Sequence, residues 1–477
     1  MRSRVVFGIM GKFLKIFGIL LFLPALIGLY YSESLYMISG FLVSSASCIF
    51  IGSMLKFSRI DNSPSVQEAM FSTVVGWLMA ICFGAIPFLV YDVTIVEALF
   101  EAAAGLTTTG ISMFAEPSAL SHSMLFWRGF MQWIGGLGIL TFFIAVIRES
   151  GGVARRLYSA ESHKTDSGSI RPSLKKSIID LWRVYGFLTA VFMGVYVALG
   201  MPTFESVLHA FSAISTGGFS TQAASIGAYA IEIQAITVLF MFLGGVNFVL
   251  LYRFLRTDLK PMLESSEFRL YALIFFLVGG FMLLELLSRG TAPQQSLIDA
   301  GFQSAAVISS TGYSTVSITA LSIFIQTLLL GVMFVGGSLG STAGGLKVFR
   351  LKALIELLKT RLRSYRLPES AINEVKIDGE LLESSTVKTI SILFFTWVSV
   401  IFCSTLLILL VEDVTPLGIL SGTISSAGNM GPVYMPTEDL VSLSPVTKLV
   451  WIFVMLAGRL EMLPALAIFN TGLFKNS

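Results

Sequence analysis

Thr107-Thr108-Thr109-Gly110 is the first of four glycine-ending tetrapeptides that decide the fold predicted for this chain. Each tetrapeptide follows a short apolar segment, and the final glycines stand thirteen positions after Glu97, Glu205, Asp299 and Gly418. The other copies are Ser215-Thr216-Gly217-Gly218, Ser309-Ser310-Thr311-Gly312 and, in degenerate form, Gly428-Asn429-Met430-Gly431. Four in-register copies of a unit that ends in exposed backbone predict a ring of carbonyl oxygens around one axis, and such a ring conducts cations.

The composition is that of a membrane protein. Of 477 residues, 55% are hydrophobic and only 13% are charged, whereas a soluble globule carries about 25% charged residues. Because roughly 17 to 25 apolar residues cross a bilayer as a helix, uncharged stretches predict spans at residues 16–32, 34–55, 69–91, 129–147, 184–204, 233–252 and 389–411. The uncharged run over residues 300–346 is too long for one helix, so it must contain more than one element.

The basic residues predict the orientation of the chain. All 32 Lys and Arg residues except Arg128, Arg289, Lys448 and Arg459 group on one predicted side, and such residues favour the cytoplasmic side. Both termini are therefore predicted to be cytoplasmic, and the net charge of +3 reflects topology and not nucleic-acid binding. Basic residues before the first apolar run resemble a signal peptide, but no obvious small-residue cleavage site follows, so we expect an uncleaved first helix.

After two leading helices the chain repeats one plan: a spanning helix, a half-length helix, the tetrapeptide and a second spanning helix. Segments 98–106 and 206–214 are too short to cross a bilayer, and non-helical backbone at membrane depth is tolerated only where protein or water satisfies it. We expect an all-α polytopic membrane protein with four pseudo-repeats around one pore. The expected units are a helix pair at 1–58 and pore repeats at 59–150, 151–262, 263–372 and 373–477, the third with an intramembrane gating loop and a cytoplasmic helix extension.

The chemistry of the predicted filter follows from its backbone. A carbonyl ring needs positive φ at some positions, which glycine adopts without steric cost, and the carboxyl ends of the half-helices favour a cation there. Carbonyl ligation without carboxylates suits a large monovalent cation better than a divalent one. We therefore expect potassium as the substrate and no cofactor, with weaker discrimination against sodium because the fourth copy is degenerate. The hydroxyls either support the loop or line the path: Thr107, Thr108, Ser215, Thr216, Ser309 and Ser310.

Three acids precede the tetrapeptides at one spacing. Glu97, Glu205 and Asp299 are expected in the first turn of the half-helices. There they either stabilise the start of the helix, where the dipole is positive, or draw ions to the mouth of the pore.

These motifs resemble those of the Trk/Ktr/HKT superfamily of potassium transporters, and most closely the bacterial TrkH-type membrane subunit. The extra helix pair favours the Trk type over the shorter Ktr type. In that family a serine in place of the filter glycine of the first repeat goes with sodium preference. Gly110 at this position therefore implies a potassium-permeable member. Further marks are Trp127-Arg128, Gln132-Trp133-Ile134-Gly135-Gly136-Leu137-Gly138, Asn429-x-Gly431-Pro432 and Gly458-Arg459-Leu460-Glu461.

The resemblance also implies a location and partners. It implies a multi-pass protein of the bacterial inner membrane, a homodimer in which each subunit has its own pore, and a cytoplasmic nucleotide-binding regulatory ring of the TrkA type. The chain carries no nucleotide-binding fingerprint of its own, which agrees with a separate polypeptide for that role.

A glycine-rich stretch interrupts the second helix of the third repeat. It cannot remain a rigid helix, because each glycine costs about 1 kcal/mol relative to alanine. As in the resembling family, we expect a flexible intramembrane loop below the filter that blocks ion passage; the alternative is a kink that relieves packing. A phosphate-binding loop is excluded because Leu346, not lysine, follows the last glycine. The glycines of the expected gate are Gly336, Gly337, Gly340, Gly344 and Gly345.

Arg459 is the second element of the expected gate. It lies fourteen residues after Pro445, which is on the order of 20 Å from the outer end of the last helix. An intramembrane arginine usually faces protein or water and marks an ion path, so Arg459 is predicted to bond the loop carbonyls or to form a positive barrier. The alternative is a structural pair with an acid, for which Glu461 is badly placed because residues two apart face different sides of a helix.

A basic stretch follows the glycine-rich segment. The residues between Lys347 and Arg366 are expected to form a solvated helix that either faces lipid headgroups or docks the regulatory ring.

Two rival function classes are weaker. An intramembrane enzyme would need an HExxH motif, paired intramembrane aspartates or a Ser–His set, and the sequence has none of them, so no enzyme activity is expected. A proton- or sodium-coupled potassium symporter would need titratable groups at membrane depth. The half-helices offer only His209 well inside, which leaves the coupled carrier as the alternative to a channel-like pore.

Overall fold

The computed structural model describes residues 3–55, 66–149, 174–256, 258–366 and 374–462. The chain begins with a helix pair, α1 (Ser3–Tyr30) and α2 (Leu35–Met54). Gly11 and Gly52 lie where these helices touch, since a Cβ built on Gly11 would stand 2.9 Å from the carbonyl oxygen of Gly52. The predicted cytoplasmic termini and the unit boundaries at 58, 150 and 372 lie outside the described residues.

Four repeats of one plan follow the pair. The first helices of the repeats are α3 (Val66–Ala85), α6 (Leu174–Ala198), α11 (Ser266–Ser288) and α15 (Ser384–Leu409). Half-length pore helices come next: α4 (Ile95–Leu106), α7 (Thr203–Ser215), α12 (Pro293–Ile308) and α16 (Pro416–Gly428). The second helices are α5 (His122–Glu149), α8 (Ile231–Gly244), α13 (Ile323–Val335) and α18 (Pro445–Arg459). The predicted all-α polytopic architecture is therefore confirmed.

A short helical turn stands at the same place in every repeat, between the tetrapeptide and the second helix. Three of these turns are 3₁₀ helices and the fourth is a short α-helix: Pro117–Ala119, Ser225–Ala228, Ile318–Ala320 and α17 (Thr437–Ser442). A further 3₁₀ turn, Ile86–Val90, extends α3. Among the described residues, six helices are long and apolar enough to cross a membrane.

The predicted span over residues 233–252 is wrong as a single helix. Helix α8 ends at Gly244, and α9 (Phe248–Arg256) leaves it at 108°. The backbone groups freed at the break are satisfied by the glycine-rich loop: Ser338 N donates to Gly245 O over 2.9 Å, and Phe248 N donates to Gly340 O over 3.1 Å. A tertiary contact invisible to hydropathy thus replaces the helical hydrogen bonds.

The starts of the pore helices agree with the sequence in two repeats and differ in the third. Glu97 and Glu205 lie in the first turns of α4 and α7, and Thr94 and Glu97 form a reciprocal capping box. Asp299 does not lie in a first turn, because α12 begins earlier, at Pro293. Proline suits this first position, since its missing N–H would have no helical partner there.

The long uncharged run over residues 300–346 contains several elements, as expected. It holds the end of α12, the third tetrapeptide, α13 and a non-helical segment, after which α14 (Val348–Ser364) begins. Two antiparallel strands of two residues each, β1 (Lys376–Ile377) and β2 (Glu380–Leu381), form a hairpin. Its Ile377 lies in one apolar cluster with Phe349 of α14. The short helix α10 (Lys260–Glu264) contains the predicted unit boundary at 262.

Small residues allow the pore helices to lie inside the protein. Ala102, Ala103 and Ala104 of α4 are fully buried, and a Cβ on Gly135 of α5 would overlap the carbonyl oxygen of Leu106. The second helices can therefore approach the carboxyl ends of the pore helices at backbone distance, which brings the four tetrapeptides to the centre.

Candidate functional site: a ring of four glycine segments and the loop against it

The four tetrapeptides share one backbone conformation. Their second residues are left-handed, with φ of 55°, 55°, 56° and 50° at Thr108, Thr216, Ser310 and Asn429. Their final glycines have φ of 79°, 80°, 78° and 99° at Gly110, Gly218, Gly312 and Gly431. The register seen in the sequence is therefore a structural register, and the final position needs glycine because other residues are strained there.

The four glycines lie next to one another in a closed ring. A Cβ built on Gly110 would overlap Gly217 O, one on Gly218 would overlap Thr311 O, and one on Gly312 would overlap Met430 O. A Cβ on Gly431 would lie 3.2 Å from Thr109 O. Each segment thus touches the next, and the fourth touches the first. The carbonyl groups of the third positions stand at these four junctions.

The pore helices aim their carboxyl ends at this ring. Helices α4 and α12 end one residue before their tetrapeptides, and α7 and α16 end at the first residue of theirs. In all four copies the amide of the third position donates to a pore-helix carbonyl, over 2.8, 2.8, 2.9 and 3.0 Å at Thr109, Gly217, Thr311 and Met430. The negative end of each helix dipole is therefore held at the ring, where it favours a cation.

The first-position hydroxyls support the loop. Thr107 Oγ1 donates to Ala103 O over 2.6 Å and lies 2.7 Å from Thr109 Oγ1. Ser309 and Thr311 repeat the second contact, also at 2.7 Å. These side chains are buried, so of the two roles left open by the sequence, the contacts favour support.

The glycine-rich loop packs against the ring on the side of the pore-helix ends. Gly344 N donates to Ser310 Oγ over 2.6 Å, and a Cβ on Gly344 would overlap Gly428 O. Thr342 Oγ1 donates to Ile214 O over 2.9 Å. The loop therefore contacts the filter segments of the third and fourth repeats and the end of pore helix α7 in the second.

Positive φ and close packing fix the loop itself. Gly336, Gly340 and Gly345 have φ of 74°, 70° and 82°, and a Cβ on Gly337 would overlap the side chain of Ala343. Leu339 N donates to Glu267 Oε1 over 2.6 Å. All five predicted loop glycines thus lie in one folded segment, which is packed and hydrogen-bonded.

Comparison with known proteins decides the family. The model of the TrkH family, described as "Cation transport protein", matches residues 38–473. The chain belongs to the TrkH family. The Trk system potassium uptake protein TrkH of Salmonella typhimurium is 29% identical over 481 residues, which cover 98% of this chain and 99% of that protein. TrkI of Halomonas elongata is 30% identical and covers 86% of this chain and 84% of its own length.

A solved structure confirms the fold of this TrkH-family chain. The crystal structure of the potassium transporter TrkH from Vibrio parahaemolyticus superposes with a TM-score of 0.89 at 27% identity, and all of both chains is covered. The resemblance drawn from the filter motifs is thereby confirmed at the level of family and fold. The TrkH family is one of cation transport proteins, consistent with the expectation of no enzyme activity.

Arg459 bonds the loop. It is 1% exposed, and its guanidinium donates to Thr342 O over 3.0 Å and to Gly135 O over 3.1 Å. Of the roles proposed from sequence, bonding to loop carbonyls is the one seen. Glu461 pairs instead with Arg350 of α14.

The prediction that the basic stretch forms a solvated helix is wrong for its first residues. Lys347 and Arg350 are 7% and 6% exposed, and Lys347 Nζ donates to Ala343 O of the loop. Because these residues lie where the chain leaves the loop, they are buried under it. Farther along α14, Lys359 is half exposed and pairs with Glu356.

Sequence reasoning missed three polar residues around the first two filter segments. Glu101 of α4 is fully buried and pairs with Arg128 of α5 at 2.8 Å, while Gln132 Nε2 donates to Gly217 O over 2.7 Å. The sequence indicated His209 as the only titratable group well inside a pore helix. Glu101 is a second one. A signal existed, because Glu101 and His209 both stand nine positions before their filter glycine.

Proposed function

We propose that this TrkH-family protein takes up potassium ions through a pore that its four repeats enclose. The proposal depends on the junctions where Gly110, Gly218, Gly312 and Gly431 meet the third-position carbonyls of the neighbouring segments. Carbonyl oxygens in a ring are ligands that replace the hydration shell of a potassium ion. Relatives named Trk system potassium uptake proteins match nearly the whole chain, which supports the same substrate.

The filter residues of this proposal are the sixteen positions of the tetrapeptides. The third and fourth positions act through the backbone, so their carbonyl groups, and not their side chains, bind the ion. The three Thr- or Ser-containing segments and the Asn429 segment differ in side chains and in the φ of the last glycine. An asymmetric ring of this kind should discriminate against sodium less strongly than four identical segments.

The glycine-rich loop and Arg459 form the proposed gate. The loop lies against Ser310 and Gly428 of the filter, and Arg459 holds the loop carbonyl of Thr342. Passage of an ion beneath the filter then requires these contacts to break. A kink that only relieved packing would not need hydrogen bonds from the loop to a filter segment, to a pore helix and to a buried arginine.

Partners and location enter the proposal through family membership. We place the protein in the bacterial inner membrane with both termini cytoplasmic, as a homodimer regulated by a nucleotide-binding ring of the TrkA type. On this chain the docking surface would be the exposed basic part of α14, where Arg361 and Arg363 stand at the end of the helix. The same residues would face lipid headgroups if the ring docked elsewhere.

A coupled symporter is the second candidate, because Glu101 and His209 are buried in pore helices. Their partners favour the channel-like pore. Glu101 is held by Arg128 and by Met113 N at 2.7 Å, and His209 is held between Glu205 O at 2.9 Å and Ser220 Oγ at 3.1 Å. A carboxylate with fixed partners is a poor carrier of protons between two states.

The test is rubidium flux into liposomes that hold the purified full-length protein, with and without proton and sodium gradients. The proposal predicts rubidium uptake down its own gradient, unchanged when the other gradients are abolished, and unitary currents in planar bilayers. Saturating flux that stops without a proton or sodium gradient would establish the carrier instead. The absence of rubidium or potassium flux under all conditions would overturn the proposed substrate.

A further inference from the structure

One position of the repeat carries a different residue in each copy. Nine residues before the filter glycine lie Glu101, His209, Gln303 and Gly422. The first three side chains are buried and contact the chain that leaves the filter. Glu101 accepts from Ser112 Oγ at 3.1 Å, His209 Nε2 lies 3.1 Å from Ser220 Oγ, and Gln303 Nε2 donates to Val316 O at 2.8 Å.

The first copy is the charged one, and it reaches the second repeat. Arg128 Nε donates to Glu101 Oε1 over 2.8 Å, with side-chain exposures of 3% and 0%. Its two terminal nitrogens donate to Ser112 Oγ at 2.9 Å and to Ser220 O at 3.3 Å, two residues beyond the glycines of the first and second segments. The guanidinium also lies 4.2 Å from the ring centre of Phe219. Arg128 therefore joins the stretches of chain that follow the first and second filter segments.

Gln132 extends this link to the ring itself. It follows Arg128 by one helical turn of α5, so both side chains lie on one face. Gln132 Nε2 donates to Gly217 O at 2.7 Å, and its Oε1 accepts from Ser212 Oγ at 2.7 Å and Phe219 N at 3.2 Å. Gly217 O is the carbonyl against which a Cβ on Gly110 would stand. One ring carbonyl is thus oriented by a glutamine of the adjacent repeat.

We infer that Glu101, Arg128 and Gln132 form a clamp that sets the spacing of the ring at the junction of the first and second segments and so determines selectivity between potassium and sodium. All three are positioning residues, since they act through the carbonyl of Gly217 and through the stretches of chain that follow the first and second filter segments. The physical reason is that a ring held open fits the larger ion, whereas a ring free to contract also binds sodium well. The inference rests on the proposed function and adds a determinant outside the tetrapeptides.

The two variants that test the clamp are Glu101→Gln, which removes its charge, and Gln132→Met, which keeps the unbranched shape and removes the hydrogen bonds. Rubidium and sodium uptake would be measured separately in liposomes for each full-length variant. The matched control is Glu285→Gln, because Glu285 also pairs with an arginine, Arg289 at 2.6 Å, and accepts from Ser322 N at 2.7 Å at the end of α11.

Both clamp variants should lower the rubidium-to-sodium ratio by about tenfold, which corresponds to about 1.4 kcal/mol, while the control changes it by less than about twofold. Glu101→Asp, which keeps the carboxylate, should restore part of the ratio. Reduced total flux at an unchanged ratio would overturn the inference and leave the clamp a structural brace. If Glu101→Gln does not fold, Gln132→Met still decides. Wild-type protein that carries no rubidium would instead overturn the proposed function.

Discussion

Asn429 Nδ2 donates to Thr109 Oγ1 over 2.9 Å and so joins two residues that stand 320 positions apart in the chain. The same amide lies 2.9 Å from Met455 O of the last helix. Asn429 also takes the left-handed conformation, with φ of 50°, which asparagine tolerates better than most residues. The degenerate fourth segment therefore closes the ring onto the first by a side-chain contact.

Replacement of Asn429 separates its two roles. Asn429→Gly keeps the backbone conformation and removes the hydrogen bonds, whereas Asn429→Ala removes both. We expect both variants to lower the rubidium-to-sodium flux ratio. The alanine variant should also be less stable than the glycine variant by about 1 kcal/mol, seen as a lower Tm in detergent. Equal Tm values for the two variants would contradict the backbone role.

The four ring glycines should differ in their tolerance of a methyl group. A Cβ on Gly218 would overlap Thr311 O, whereas one on Gly431 would have its nearest neighbours at 3.2 Å. Because overpacking costs about 1–3 kcal/mol, Gly218→Ala should abolish selective rubidium flux, and Gly431→Ala should retain more of it. Flux assays on the two variants in parallel check the ranking, and the reverse order would argue against the ring geometry.

Gly344→Ala should open the gate. The added methyl group would overlap Gly428 O and push the loop away from the filter. At about 1–3 kcal/mol for such a clash, the ratio of open to closed protein should rise on the order of tenfold, measured as basal flux or open probability. The matched control is Gly331→Ala in α13, where a Cβ would have nothing within 4 Å. Unchanged open probability in Gly344→Ala would count against a gate.

Arg459→Ala should raise leak through the pore. It removes the hydrogen bonds to Thr342 O and Gly135 O, each worth about 1.5–3 kcal/mol because the donor is charged. Arg289→Ala serves as the control, since Arg289 also donates to a carbonyl, that of Ala320 at 2.6 Å, but stands away from the loop. Basal rubidium flux would be compared in liposomes. If the basal flux of Arg459→Ala equalled that of the wild type, Arg459 would not be part of the gate.

The repeat carried most of the fold prediction. A final glycine at one spacing in all four copies locates the tetrapeptides, because a half-length helix precedes each of them and the last φ is positive in every copy. The break after Gly244 was not predictable from hydropathy, since α8 and α9 together read as one apolar span. It exists because the loop around Gly340, about ninety residues later, supplies the missing hydrogen bonds.

The clamp was missed for a related reason. Arg128 was assigned to the outer side by its position between spans, which gives no information about its partner. Only the folded chain brings Glu101, 27 residues earlier, within 2.8 Å of it. The spacing from the glycine does not determine the length of the pore helix, because Pro293 begins α12 before Asp299.

The carbonyl ring is tested by the position of rubidium in crystals of the full-length protein, located by anomalous diffraction. A rubidium ion is expected on the axis of the ring, within coordination distance of the carbonyl oxygens of Thr109, Gly217, Thr311 and Met430, and it should be lost in Gly218→Ala. Rubidium bound elsewhere in the protein, with the ring unoccupied, would contradict this expectation.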